Sequence, residues 1–333
     1  MGLTVVLGRN VVGGRGSRMV TDRQLATSKA INRRTGRTFY VATRLLPKRV
    51  RHPTYVLYAF FRTADEVVDD AAGVPSDDQY AALERLRAQA LGRESTDDPV
   101  LVAFREVAET HDIPDAEIES FVDAMATDVE KGRYEDYAEL EAYMRGSAAA
   151  VGRMMLAVVG ADDRARARPH ATALGEALQL TNFLRDVRED IEEQDRIYLP
   201  RTTLERHGVT EEQIRRLEFS EGFAAAVHDE LRRAESLYWH GVRGIRYLPA
   251  DCRFPVLLAA VLYAEHHRLI RARGYDVLSA TPRLGLARTA WVVARTRWRW
   301  QFRRDPETVF EAVSAVSEGA GRRAGTGSSS PTR

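Results

Sequence analysis

Arg62, Asp65 and Asp69 stand three and four residues apart in the run Tyr58-Ala-Phe-Phe-Arg-Thr-Ala-Asp-Glu-Val-Val-Asp-Asp70. On a helix this spacing stacks the three side chains on one face, with the two carboxylates one turn, about 6 Å, apart. The residues from Tyr55 to Phe61 are nearly all apolar, so the helix is expected to be buried. Carboxylates clustered at the C-terminal end of a buried helix repel one another and oppose the helix dipole. Such an arrangement calls for a cation.

A second stripe has the same character. Gln179, Asn182, Asp186 and Asp190 follow at intervals of three and four, and Leu178, Leu180, Phe183, Leu184 and Val187 fill the other helix faces. Every group in this column offers an oxygen to a hard divalent cation. Neither stripe holds His or Cys, which argues against zinc and copper. Mg²⁺ takes a few carboxylates and completes its shell with water and phosphate oxygens, which two facing stripes would allow, and Mn²⁺ accepts the same donors. Each stripe carries an arginine, Arg62 and Arg185. Either these pair with neighbouring acids, or they grip diphosphate oxygens, for which the guanidinium fork is suited. A single stripe is as well explained by a solvated helix face. Two stripes, each with an arginine and apolar flanks, are not.

The elements that position them read as helices almost throughout, because apolar residues recur at three and four. Gly and Pro fall mostly between the helical stretches. Pro53 is expected to open the helix running to about Asp70, Asp97-Asp98-Pro99 and Pro114-Asp115 to open two more, and Arg168-Pro169 the long helix to about Glu193. The expected organisation is one all-α domain over residues 22–305. Residues 1–21 form an N-terminal extension and 306–333 a tail, disordered from about 318, where Gly, Ser and Arg dominate.

The chain has 333 residues, with 49 Lys+Arg against 48 Asp+Glu, and this balance gives no global attraction to nucleic acid. One cysteine, Cys252, excludes an intrachain disulfide and a Cys-rich metal site. No apolar run reaches the roughly 18–20 residues of a membrane span. The stretch Gly2–Val12 is too short and Gly-rich for a secretory signal. A cytoplasmic protein is expected, with peripheral contact at the inner face of the membrane. That contact would come from the end of the chain, where Trp291, Trp298 and Trp300 alternate with Arg295, Arg297 and Arg299. Two readings of this end stay open: a terminal helix packing its Trp residues on the core, or one lying at a bilayer surface.

Arg62-x-x-Asp65-x-x-x-Asp69 and Gln179-x-x-Asn182-x-x-Arg185-Asp186-x-x-x-Asp190, followed by Arg196-Ile-Tyr-Leu-Pro200, resemble the paired signatures of the squalene/phytoene synthase family, most closely its phytoene synthases. The resemblance runs from about Thr38 to Arg283. It implies an isoprenoid synthase-type helical bundle around a central cavity. It further implies that Asp65, Asp69, Asn182, Asp186 and Asp190 bind Mg²⁺, and that Arg62, Arg185, Gln179 and Arg196 serve the substrate diphosphates. Arg37 and Thr38 match the entry segment, with Thr where the family has Ser, and Thr35 where it often has His. Tyr143 matches the family's catalytic tyrosine, although Ser147 and Ala149 depart from the Val and Gly that follow it there. Tyr263 and Tyr275-Asp276 resemble a late segment near the diphosphates.

The implied reaction joins two geranylgeranyl diphosphates head to head through prephytoene diphosphate. It releases diphosphate and gives 15-cis-phytoene for carotenoid biosynthesis, without NADPH. Two alternatives stay open: squalene or dehydrosqualene synthesis from C15 farnesyl diphosphate, and an inactive relative acting as an assembly factor. The oligomeric state is left open, and nucleic acid is not an expected partner.

Overall fold

Local chemistry starts several of the helices. Asp98 accepts from the N–H groups of Val100 and Leu101 and opens a helix at Pro99, and Asp163 caps the longest helix by accepting from Arg166 N. The computed structural model describes residues 37–69 and 73–316, in this order: α1 (Arg37–Thr43), α2 (Lys48–Asp69), α3 (Ser76–Ala90), α4 (Pro99–Thr110), α5 (Asp115–Thr127), α6 (Tyr137–Met144), a π-helical segment (Arg145–Ala150), α7 (Val151–Val159), α8 (Arg164–Gln194), α9 (Arg201–Arg206), α10 (Glu211–Arg215), α11 (Glu221–Arg243), a 3₁₀ turn (Gly244–Tyr247), α12 (Ala250–Ala272), α13 (Leu286–Phe302) and α14 (Pro306–Val313). Among the described residues the one β-like contact is a bridge between Arg133 and Ile197. None of their helices is long and apolar enough to cross a membrane. The expected extension 1–21, Asp70 and the tail from 318 lie outside the described residues.

Three boundaries differ from the sequence expectation. Pro53 and Pro169 do not open their helices; each lies five residues inside, after Lys48 and Arg164, and Pro255 sits likewise in α12 after Ala250. At the sixth helical position each proline removes one i→i−4 hydrogen bond, which these long, packed helices carry. The domain also runs past residue 305. Asp305 caps α14 by accepting from Thr308 N, and Phe310 is fully buried against Tyr238 and Trp239. Val309, Phe310 and Val313 form a short apolar face that the surrounding charge concealed.

Helix α8 is the axis of the bundle. It packs along α11 and the 3₁₀ turn, against the π-helical segment and α7, and on α12. Glycine permits this crowding. A Cβ on Gly152 would lie 2.3 Å from the carbonyl of Ala171, and one on Gly175 would lie 2.4 Å from that of Ala148. The polar back of α8 is fixed as well: Thr181 Oγ1 lies 2.9 Å from His267 Nε2 and 3.0 Å from Tyr238 Oη, all buried.

Candidate active site

One face of α8 runs beside a cavity of about 1070 Å³, just above the roughly 300–1,000 Å³ of ordinary ligand pockets. Ala167, Ala171, Leu174, Leu178, Asn182, Arg185 and Glu189 succeed one another at three- and four-residue steps along that face. Its first half is small and apolar, and its second half is polar. Helix α2 borders the polar end with Arg62, Asp65 and Asp69, so the two acidic stripes share one cavity. Gln179, Asp186, Asp190, Arg196, Tyr143 and Tyr263 line it too. Arg37 and Thr38 fall in the first turn of α1, and their side chains lie outside the described residues. Tyr275 and Asp276 are not brought to the cavity. Asp276 instead accepts from Leu278 N and Ser279 N, ordering the turn before the cavity-lining segment 281–284.

The arginines sit on the carboxylates, as the clustered negative charge demands. Arg62 Nη1 is 4.0 Å from Asp65 and 3.7 Å from Asp69, and its Nε is 3.3 Å from Glu66. Arg185 forks onto Asp186, with Nε at 2.6 Å from Oδ1. Arg196 bridges the two sides: it reaches Asp69 Oδ1 at 3.2 Å, the carbonyl of Asp128 at 3.0 Å and Gln194 Oε1 at 2.7 Å.

Carboxylates remain under-compensated even so. The side chain of Asp65 is 38% exposed, but it lines the cavity deep within the bundle. Burial, then repulsion from Asp69, pushes its acid up to about 7 despite Arg62. Burial and Asp186 push Asp190 up to about 8. Asn182 donates to Gln179 Oε1 at 3.4 Å, while its own Oδ1 is buried without a hydrogen-bond partner. An orphaned acceptor beside desolvated carboxylates fits a hard cation. Among the described residues no three carboxylate or imidazole groups converge tightly enough to hold one alone. A ligand supplying its own oxygens, such as a diphosphate, would have to complete the shell.

The raised acids make a pH prediction. Carboxyls of the unfolded chain ionise near about 3.9, so the folded, cation-free protein holds these protons to higher pH. Their contribution to stability is present at low pH and lost as pH rises through the folded values, toward about 8 for Asp190. Between about pH 7 and pH 9, where buried His266 and His267 are neutral, the cation-free melting temperature is expected to fall. Asp190→Asn should flatten that slope, and Mg²⁺ with inorganic diphosphate should raise the melting temperature more at pH 9 than at pH 7. A pH-independent effect of Mg²⁺ in scanning calorimetry would refute the assignment.

Beside the stripes lies a cluster around Tyr143 whose other members, Asp128, Tyr134 and Tyr198, sequence reasoning missed. Tyr143 Oη donates to Asp128 Oδ2 at 2.6 Å, and Tyr198 hydrogen-bonds to the same carboxyl. Burial pushes Asp128 up to about 7, Arg196 and these hydroxyls opposing the shift. Burial also holds the hydroxyls of Tyr143 and Tyr198 far above their ordinary range, so both stay neutral. Phe183 stacks on Tyr198 at 3.9 Å, and Tyr143 and Tyr134 close the group. Tyr143 stands just before the π-helical segment, a local widening of the helix found frequently at functional sites.

Comparison with known proteins agrees with this geometry. The model of the squalene/phytoene synthase family matches residues 32–298. The chain is 32% identical over 285 residues to a phytoene synthase of Rhodobacter capsulatus, covering 84% of this chain and 82% of that one. It is 36% identical over 243 residues to a phytoene synthase of Thermus thermophilus, covering 72% and 81%. A dehydrosqualene synthase crystal structure superposes with a TM-score of 0.76 at 27% identity, covering 84% of this chain and 98% of that one. Two acidic helices on one cavity, and matches over most of the chain, make this protein a prenyltransferase of the squalene/phytoene synthase family.

Proposed function

We propose that the chain is a phytoene synthase, joining two geranylgeranyl diphosphates head to head. The observation that carries this reading is the division of α8 into an oxygen-rich half and a small, apolar half along one cavity. From Asn182 back to Ala167 the helix advances about 22 Å at 1.5 Å per residue, a long track for a prenyl chain. Relatives at 32–36% identity that carry the name phytoene synthase support the C20 substrate.

In this reading Asp65 and Asp69 would hold Mg²⁺ on one side and Asn182, Asp186 and Asp190 on the other. Bound there, it would supply positive charge to offset a departing diphosphate and ease ionisation of the allylic C–O bond. Arg62 and Arg185 turn from their carboxylates to phosphate oxygens as substrate enters, and Arg196 holds Asp69 in place. Loss of diphosphate leaves an allylic cation on one prenyl chain, and the double bond of the second chain attacks it. The wall formed by Phe61, Phe121, Met125, Met155 and Leu178 excludes the water that would trap that cation. Tyr143 presents a neutral hydroxyl whose proton is directed at Asp128.

Product analysis with C20 or C15 diphosphates, each with and without NADPH, tests the assignment. A C40 triene formed without NADPH is the expected result. A C30 hydrocarbon as the main product would overturn it in favour of squalene or dehydrosqualene synthesis, and no product from either substrate would favour the inactive relative.

A further inference from the structure

Helix α13 divides its tryptophans between the two readings of the Trp/Arg-rich end: Trp300 packs on Phe254 and the core, while Trp291 and Trp298 face outward. Only Val292 and Thr296 along it are buried, whereas Leu286, Trp291, Trp298 and Phe302 are 87%, 45%, 56% and 69% exposed. At 100° per residue, Trp291, Trp298 and Phe302 fall within about 20° of a common line. Trp298 and Phe302 meet edge to face at 5.4 Å. Ala287, Ala290 and Ala294 flank that line on the exposed side. Guanidinium groups cover the ring faces: Arg288 lies 4.1 Å and Arg295 5.1 Å from the Trp291 ring, and Arg299 lies 5.2 Å from that of Trp298.

Charge selects the occupant of this face. No acidic residue occurs from Val277 to Arg304, a stretch with seven arginines. Arg297, Arg299, Arg303 and Arg304 pair with no carboxylate among the described residues. A second copy apposing the same face would bring like charges together. Residues 317–333 hold Arg322, Arg323 and Arg333 against Glu318, and no large apolar side chain to cover the rings. Aromatic side chains with arginines around them match the headgroup layer of an anionic bilayer.

We propose that α13 seats the protein on an anionic lipid surface. Its location gives the contact a use. Thr281, Pro282, Arg283 and Leu284 line the cavity and lead directly into α13, so docking would set the cavity's edge against the lipid. Prenyl substrates and a hydrocarbon product could then exchange with the bilayer without crossing water.

The test is flotation of the full chain with phosphatidylcholine vesicles, with and without phosphatidylglycerol. Binding is expected only to the anionic vesicles, and it should weaken with salt. The variant Trp291→Ser/Trp298→Ser/Phe302→Ser and, separately, Arg297→Ser/Arg299→Ser should each lower it at least about tenfold. Both sets of residues are on the surface, so melting temperature and turnover on detergent-dispersed substrate should stay at the wild-type level. No flotation at low salt, or flotation that both variants retain, would overturn the proposal. A dimer abolished by the aromatic variant would also overturn it, by assigning the face to a second copy. Flotation reads lipid contact whichever prenyl diphosphate the enzyme uses, so this result and the product analysis fail independently.

Discussion

Asp186→Asn and Asp65→Asn are each expected to lower turnover at least about a hundredfold to a thousandfold, as loss of one preorganised charge in an active site does. The fold should survive both. Asp65 is a desolvated acid beside Asp69, pushed up to about 7, so a neutral amide of the same shape removes a repulsion rather than a support. Its cation-free melting temperature should equal or exceed that of the native chain above pH 7. Asp186 differs, because its carboxylate receives the Arg185 fork. Asn keeps one acceptor for that fork, and Arg185 also lies near Glu189 and Tyr263. Melting temperature, turnover and the shift produced by Mg²⁺ with inorganic diphosphate should be measured together. Loss of turnover with loss of the Mg²⁺-dependent shift, at unchanged cation-free stability, is the expected pattern. Wild-type turnover in both variants would remove the metal assignment.

Those carboxylates were legible in the sequence because a helix converts spacing into proximity. Gln179, Asn182, Asp186 and Asp190 share a face for the same reason that Ala167, Ala171 and Leu174 continue it. The demand for a compensating cation was legible too; Arg62 and Arg185 meet only part of it, leaving Asp65 and Asp190 with raised acids. Asp128 was not. It stands alone at the end of α5, without a periodic partner, and gains its neighbours from two loops that pair across the Arg133–Ile197 bridge. Ile197 N donates to the carbonyl of Gly132 at 2.8 Å, and Arg201 N to that of Tyr134 at 2.9 Å. This registration brings Tyr134 and Tyr198 to Tyr143. The motif containing Arg196 and Tyr198 was visible as a string, but its contacts with Asp69 and Asp128 depend on a turn. Asp195 ends α8 in the left-handed conformation, with φ of 48°, and Arg196 follows it back toward the cavity. Loop pairings of this kind leave no period, whereas helix faces do. The same limit hid α14, whose apolar face is barely one turn long.

Arg196→Met is expected to damage stability and catalysis together. The side chain is nearly buried and satisfies three acceptors at once: the Asp69 carboxylate, the Asp128 carbonyl and Gln194. Methionine fills similar space and donates nothing. Removing one partner of a buried pair typically costs about 3–5 kcal/mol, because the remaining charge is left uncompensated. For a chain of this size that corresponds to a melting temperature lower by on the order of 10 °C. Turnover should fall at least about a hundredfold, since Asp69 and the Asp128–Tyr143 pair lose their common support. Arg196→Lys should recover only part of each loss, because one ammonium cannot replace a planar fork spanning three acceptors. The double variant Arg196→Met/Asp69→Asn separates the two effects. Neutralising Asp69 removes the stranded charge, so melting temperature should rise above that of Arg196→Met alone, a coupling measurable as a double-mutant cycle. Turnover should not rise with it, because Asp69 is itself one of the proposed oxygen donors. Recovery of both together would mean that neither side chain does more than hold the fold. Recovery of stability without activity is the expected pattern, and it assigns the stability loss of Arg196→Met to its broken pair with Asp69.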